Sequence, residues 1–353
     1  MPGSGRFRLP WQQPTAEERA ARTAAAEQRA AAAQRLAEAR RAAAERQATD
    51  LEALGRGGIP VMAAQRLHEL RGADPAHTTF SSDLSPDEAA LLRRAGHRPL
   101  GLVSGSAVYH VGRIALSPFG GGGGMLFPTY GPAAGELTAL SAAYTEATRL
   151  AVSRLQQEAQ AIGAHGVVGV RFTLVRRAWS QKSIEVQLLG TAVAGPEHPP
   201  TSPWLSDLSG QEWFALHRAG YVPAGFVHGH CAWLVLTSQQ DLWTLTSWTN
   251  RELPRWSDAL RQCRTRATRA MASMAREYGG TGIVGVHLTR DLEEVQIGGT
   301  EIEHHLLTLH LVGTAVRLRP DAPTSVGATG MVLSLRDGRI TPLGRRPASA
   351  AFE

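Results

Sequence analysis

The chain has 353 residues, 43% of them hydrophobic, and a formal net charge of +6. This length is sufficient for two or three domains with a sizeable core. The positive charge rests on arginine, since Lys182 is the only lysine. It is spread along the chain rather than concentrated in one segment, so nucleic-acid binding is not indicated. Nonspecific binding to anions or to a membrane surface stays open.

The two cysteines, Cys231 and Cys263, indicate a reduced compartment and no disulfide framework. The first residues lack the apolar segment of a secretory signal. No stretch reaches the roughly 18 apolar residues of a transmembrane helix. We therefore expect a cytoplasmic protein, either free or peripheral to a membrane.

Residues 15–54 are rich in alanine, glutamate and arginine, which are strong helix formers. Thr15 and Glu18 have the spacing of a capping box, and the glycines from Gly55 end the pattern. Large apolar residues are almost absent, so this helix can bury little apolar surface. It is interpreted as a solvated arm, a weak coiled coil with an alanine seam, or an arm that contacts a protein partner or a membrane surface. The arm and its linker take residues 1–75.

An internal repeat organises the rest of the chain. "SDLSPDEAALLRRAGHRPLGLVSGSAVY" begins at Ser82 and "SDLSGQEWFALHRAGYVPAGFVHGHCAW" at Ser206, with about 13 of 28 positions identical. "GAHGVVGVRF" later matches "GGTGIVGVHL", and "LLGTAV" matches "LVGTAV". We predict repeats at 82–200 and 203–320, followed by a flexible tail at 321–353.

Each repeat has the same predicted elements. A capped short helix precedes a strand with small residues, then a long helix with one apolar face, then two strands. The apolar positions of the two long helices coincide: Leu137, Leu140, Tyr144, Ala147, Ala151, Leu155, Ala159 and Ile162 in the first, and Leu253, Trp256, Leu260, Cys263, Ala267, Met271, Ala275 and Tyr278 in the second. The predicted fold class is α+β, with two tandem strand–helix–strand–strand domains after the long helix.

A strand with small residues, a helix ending in "AQAIGAHGVVGV" and a strand ending in "GTAV" resemble the YbjQ-type family, which is described as heavy-metal-binding but whose function is not established. The resemblance covers residues 97–195 and 221–318. It implies a dodecin-like subunit that assembles into a five-membered ring. It implies little about activity.

Two histidines suggest a metal site. In "FVHGHCAWLV", His228 and His230 lie on one face of a strand and Cys231 on the other. His304 and His310 would complete a zinc, copper or nickel site only if their strand lies alongside. The first repeat has Ser104 and Ser106 at the matching positions. The alternatives are a polar strand face or a pore-lining pair, with His304 and His310 on a half-exposed strand.

Other candidate residues give no catalytic site. Cys263 falls on the apolar face of its helix and His165 in a turn, while "PFGGGGGM" (118–125) lacks the lysine of a phosphate-binding loop. Trp243 and Trp248 lie in a variable loop and are candidates for a subunit or partner contact. We therefore expect no enzyme and no cofactor other than a divalent metal.

The expected function is a non-enzymatic, ring-forming binding or scaffold module of unknown ligand; the alternative is a heavy-metal-binding protein. A five-membered ring cannot alternate the two repeats of whole chains, because five is odd. Two stacked pentameric rings are favoured. A six-repeat ring of three chains, or a monomer with its repeats paired about a pseudo-twofold axis, stays open.

Overall fold

A computed structural model describes residues 16–72, 81–111, 135–176, 183–196, 199–296, 303–319, 331–333 and 340–342. The chain divides into two compact units, residues 1–62 and 63–353. No helix in the described ranges combines the length and apolarity needed to cross a membrane. The domain boundaries given above stay predictions.

The first unit is built on one long helix, α1 (Ala16–Gly55). It ends where the glycines predict, and Gly57 has a φ of 80° that favours glycine. Its large apolar side chains, Leu36 and Leu51, are exposed. Because α1 has no buried apolar face, its stability depends on the high helix propensity of its residues.

The second unit contains the series short helix, strand, long helix, strand, strand twice, with additional short elements in each half. The elements of its first half (residues 81–196), with a preceding helix α2 (Val61–Gly72), are α3 (Pro86–Arg94), β1 (Arg98–His110), β2 (Gly135–Glu136), α4 (Thr138–Ala161), β3 (Gly166–Arg176) and β4 (Ser183–Ala194). Those of its second half (residues 199–319) are β5 (Trp204–Leu205), α5 (Gly210–Arg218), β6 (Tyr221–Val235), α6 (Gln239–Leu245), α7 (Pro254–Glu277), β7 (Gly282–Gln296) and β8 (Glu303–Leu318). The predicted α+β class is confirmed.

The two halves exchange short strands. One four-stranded sheet has the order β1–β4–β3–β5 and the other the order β2–β6–β8–β7. Strand β5 of the second half lies parallel to β3 of the first. Strand β2 of the first half pairs with β6 of the second. Each sheet is therefore completed by residues of the other half.

Glycines allow each long helix to approach its sheet closely. A Cβ added to Gly105 on β1 would lie 2.1 Å from the carbonyl oxygen of Ala151 on α4. A Cβ added to Gly229 on β6 would lie equally close to the carbonyl oxygen of Ala267 on α7. The small residues of both strands thus serve backbone-to-backbone packing.

The two long helices are buried to different extents. Helix α7 packs on β6 and β8 with one face, through Ala259, Cys263, Ala267, Met271 and Ala275. Helix α4 packs on β1 and β4 of its own half and also on β6 of the second half. It is consequently enclosed between the two sheets.

The short helices begin at capping boxes, as the sequence predicts. Ser85 with Glu88, and Ser209 with Glu212, make the reciprocal bonds. The apolar periodicity overestimates the long helices by one residue at each end, because Leu137 and Leu253 are N-caps and Ile162 and Tyr278 are C-caps.

Three further segments were predicted as irregular. The loop with Trp243 instead contains α6, which begins with a third capping box, Ser238 with Asp241. Within the predicted tail, β9 (Met331–Leu333) and β10 (Ile340–Pro342) form an antiparallel pair. The glycine run at 118–125 lies outside the described residues.

Candidate functional site

Strand β6 presents its two faces to different halves of the protein. Val227 and Cys231 belong to the core under α7, and Gly229 contacts α7 directly. His228 and His230 point the other way, as the alternation of a strand requires. Around His230, that face is covered by side chains of the first half, from α4 and β3.

His230 and His310 are paired directly across the β6–β8 ladder. Their Nδ1 atoms are 2.9 Å apart and their ring centroids 5.0 Å apart. The ring of His228 stacks on that of His230 at 5.0 Å. We call His228, His230 and His310 the histidine cluster.

The hydrogen bonds of the cluster have a defined direction. The hydroxyl of Thr148 donates to the carbonyl oxygen of Tyr144, so it accepts at 3.0 Å from Nε2 of His230. A neutral His230 then has an unprotonated Nδ1, which accepts from Nδ1–H of His310. The relay runs from β8 through β6 to α4 and joins the two halves.

The cluster is buried among aromatic rings. Tyr144 packs edge-on against His310 at 4.7 Å, and Phe172 stacks on His230 at 6.1 Å. His228, His230 and His310 are at most 5% exposed. The expected polar or pore-lining strand face, with His310 half-exposed, is therefore wrong, because α4 of the first half covers these positions.

Burial keeps the cluster uncharged. Removal from water lowers the pKa of His228 and of His310 from 6.5 to about 4. The pKa of His230 lies well below 6.5, through burial first and then through repulsion by His228 and His310. Neutral imidazoles can form the relay; two adjacent imidazolium groups could not.

The cluster does not fit a metal ion. Both ring nitrogens of His230 are engaged in hydrogen bonds, and His304 lies at the far end of β8, where its Nδ1 accepts from the backbone N–H of Thr237 at 3.2 Å. In the described part of the chain, no three His, Cys, Asp or Glu side chains are placed to hold a metal. The structure thus brings together three of the four predicted ligands as core residues, with His230 and His310 hydrogen-bonded and His228 stacked on His230.

The other predicted residues occupy two environments. Trp243 is 76% exposed and Trp248 fully exposed. A role for them in a subunit or partner contact stays a prediction. Cys231 and Cys263 are buried free thiols in the core of the second half.

A pair of one aspartate with one basic side chain, which the sequence analysis did not predict, occurs in both halves. Asp83 pairs with Arg171 at 2.8 Å in the first half, and Asp207 lies 3.9 Å from His287 in the second. Burial raises the pKa of Asp207 to about 6, against a lowering by its hydrogen bond from Thr314. The signal was present, because both pairs occupy aligned positions of the two repeats.

Comparison with known proteins gives one family match and one relative. A family model described as "Putative heavy-metal-binding" (YbjQ_1) matches residues 130–195, roughly a fifth of the chain. This match confirms the YbjQ-type resemblance for part of the first half; for residues 221–318 it stays a prediction. No solved structure matches the chain significantly.

A relative matched over most of its length shows the family. The encapsulin nanocompartment protein Rv1762c of Mycobacterium tuberculosis (strain ATCC 25618 / H37Rv) is 36% identical over 249 residues, which cover 69% of this chain and 87% of the relative. The chain belongs to the family of this mycobacterial protein.

Proposed function

We propose that the chain is a non-enzymatic scaffold module that assembles head to tail with copies of itself and is a component of an encapsulin nanocompartment. The relative's name supports the second part. One observation supports the first part of the proposal. The surfaces through which the two halves contact each other have counterparts at the outer ends of the second unit, and these counterparts are not covered.

The edge of β3 is covered by the second half. The backbone N–H of Ser206 donates to Val167, and the N–H groups of Val170 and Gly169 donate to Ser206 and Leu208, each at 2.9 Å. Val170 is only 3% exposed. This edge is therefore an interface between two successive halves, closed by backbone hydrogen bonds.

The matching edge of β7 is open. Val286 aligns with Val170 but is 52% exposed, and its neighbour Leu288 is also exposed. Among the described residues, neither Gly285 nor Val286 bonds through its backbone to a third segment. An uncovered edge with apolar side chains favours pairing with another strand.

The outer faces of the two sheets also differ in exposure, because one is covered and the other is not. His228 and His230 on β6 are covered by α4, whereas the aligned Ser104 and Ser106 on β1 are exposed, together with Val108. The outer face of α7 is also uncovered. A second copy can thus place its first sheet on α7 and its segment Ser82–Leu84 on the β7 edge, repeating the contact within the chain.

This contact is heterologous, because α4 covers the second sheet while α7 does not cover the first. The arrangement supports a head-to-tail contact over a pseudo-twofold pairing of the halves. It also disfavours stacked rings. In such rings, neighbouring second halves would contact each other through the His228–His230 face of the second sheet, and α4 already covers that face. Heterologous contacts that close form rings. We propose a ring of alternating halves, with three chains giving the six-membered form.

Light scattering on the full chain tests the assembly. We expect a mass of three chains of 37.8 kDa each. Val286→Asp should give monomers, because it places a charge in the shared edge, whereas Leu245→Asp, at a similarly exposed position on α6, should leave the assembly intact. A monomeric wild-type chain would refute the proposal.

Co-expression with an encapsulin shell protein tests the compartment. We expect the chain to elute with the assembled particles in size-exclusion chromatography. Elution of the chain apart from the particles, with its own assembly intact, would reject the nanocompartment and leave the scaffold role standing.

A further inference from the structure

A cavity of about 690 Å³ lies between the two halves and is lined by residues of both halves and of the linker that joins them. This volume is in the range of small-molecule sites. We propose that the cavity binds a planar aromatic molecule that carries a carboxylate, sulfonate or phosphate. This site adjoins the histidine cluster, since the ring of the lining residue Phe226 lies 6.5 Å from that of His228.

One wall of the cavity is a column of parallel aromatic rings. The rings of Trp204 and Trp213 are 6.0 Å apart at 11°, and those of Trp213 and His217 are 5.1 Å apart at 15°. Gly166 fixes the end of the column, because a Cβ there would lie 2.1 Å from the Trp204 ring. A fixed row of flat rings favours a flat ligand through stacking.

The polar groups of the lining are cationic or donate hydrogen bonds. Arg317 lies at the end of β8 and Arg319 directly after it. Besides the two tryptophans, the other polar side chains are His97, His165, His217, Gln156, Ser202 and Tyr278. Within the described residues, no Asp or Glu lines the cavity. A lining with two arginines and no carboxylate favours an anion.

The wall also contains N–H groups that lack an acceptor in the protein. Nδ1 of His165 accepts from the backbone N–H of Gly195 at 2.9 Å, so a neutral His165 carries its proton on Nε2. That Nε2 has no hydrogen-bond partner, nor have Nε1 of Trp213 and Nε of Arg319. Buried donors without acceptors are costly. Because these three atoms are covered by protein, they favour a negative charge nearby without contacting it.

Two fluorescent probes distinguish the contribution of ligand charge to binding from that of ligand shape. 8-Anilinonaphthalene-1-sulfonate carries a sulfonate, and N-phenyl-1-naphthylamine has the same rings without it. In Arg317→Gln/Arg319→Gln, we expect the dissociation constant of the sulfonate to rise about tenfold or more, while that of the neutral probe stays within about twofold. The control Arg40→Gln/Arg41→Gln removes two exposed arginines of α1 and should change neither.

A blocking variant locates the site. Ser202 lies exposed in the cavity lining, whereas the adjacent Thr201 is exposed outside it. Ser202→Trp should abolish binding of both probes, and Thr201→Trp should retain it. Binding that survives Ser202→Trp, or a sulfonate affinity that does not respond to the two arginines, would overturn the proposal. Matching thermal unfolding curves would show that each variant is folded.

Discussion

His230 and His310 face each other on neighbouring strands with their Nδ1 atoms 2.9 Å apart, and only one proton can lie between them. The relay to Thr148 then fixes which ring donates. Because this relay crosses from the second half to the first, protonation of the cluster should weaken the contact between the halves.

We predict that stability falls as the pH drops from about 6.5 to about 4. In this window the unfolded chain binds protons that the buried His228 and His310 do not, so acid favours unfolding. A depression from 6.5 to about 4 corresponds to about 3 kcal/mol for each group. Urea unfolding between pH 7 and 4 measures how steeply the free energy of unfolding changes with pH, and His310→Gln should make this change less steep. An unchanged slope in that variant would contradict the prediction.

Asp207 should act in the opposite direction. Its pKa is raised to about 6 from 3.8, so the folded state binds the extra proton and stability falls as the pH rises from about 4 to about 6. Asp207→Asn keeps an acceptor for Thr314 and should be more stable than wild type by up to about 3 kcal/mol at pH 7. The difference should vanish near pH 4. Asp83→Asn, which breaks the pair with Arg171, should give no such gain.

Gly229→Ala should disrupt the second half. The added Cβ would lie 2.1 Å from the carbonyl oxygen of Ala267, so α7 must move away from β6. We expect a loss of about 3 kcal/mol or more in the free energy of unfolding. Gly282→Ala is the matched control, because its Cβ would meet only a side-chain atom of Val316 at 3.6 Å. Equal losses in both variants would show that packing against α7 is not the cause.

Metal binding should be weak and independent of the cluster. Titration with zinc, nickel and copper should give the same affinity for wild type and for His228→Ala/His230→Ala, since both rings are neutral and buried and both ring nitrogens of His230 are hydrogen-bonded to protein. Sub-micromolar binding that the double variant loses would restore the metal-site hypothesis.

Deletion of residues 1–57 should leave the melting temperature within a few degrees, because α1 buries no large apolar side chain. Circular dichroism should show the loss of one long helix. Aggregation or a large drop in melting temperature would show that the arm is packed. Loss of membrane or partner recruitment at unchanged stability would assign it a targeting role.

The element order was predictable because local patterns encode it. Serine–glutamate capping boxes and the three- and four-residue apolar spacing mark the helices of both halves. The environment of the histidines was not predictable. Thr148 and His230 are 82 residues apart in the chain, and their contact depends on how the halves dock. The aromatic column was missed for the same reason, since Trp204 packs on Gly166 of the other half.

The exchanged strand β5 has a consequence for synthesis. The first half leaves the ribosome with the β3 edge uncovered, because its partner, Trp204–Leu205, is translated later. The nascent chain therefore exposes an unpaired strand edge until the linker and Trp204–Leu205 have been translated. Neighbouring chains on one message could pair at this edge, so pauses in that interval should increase misassembly.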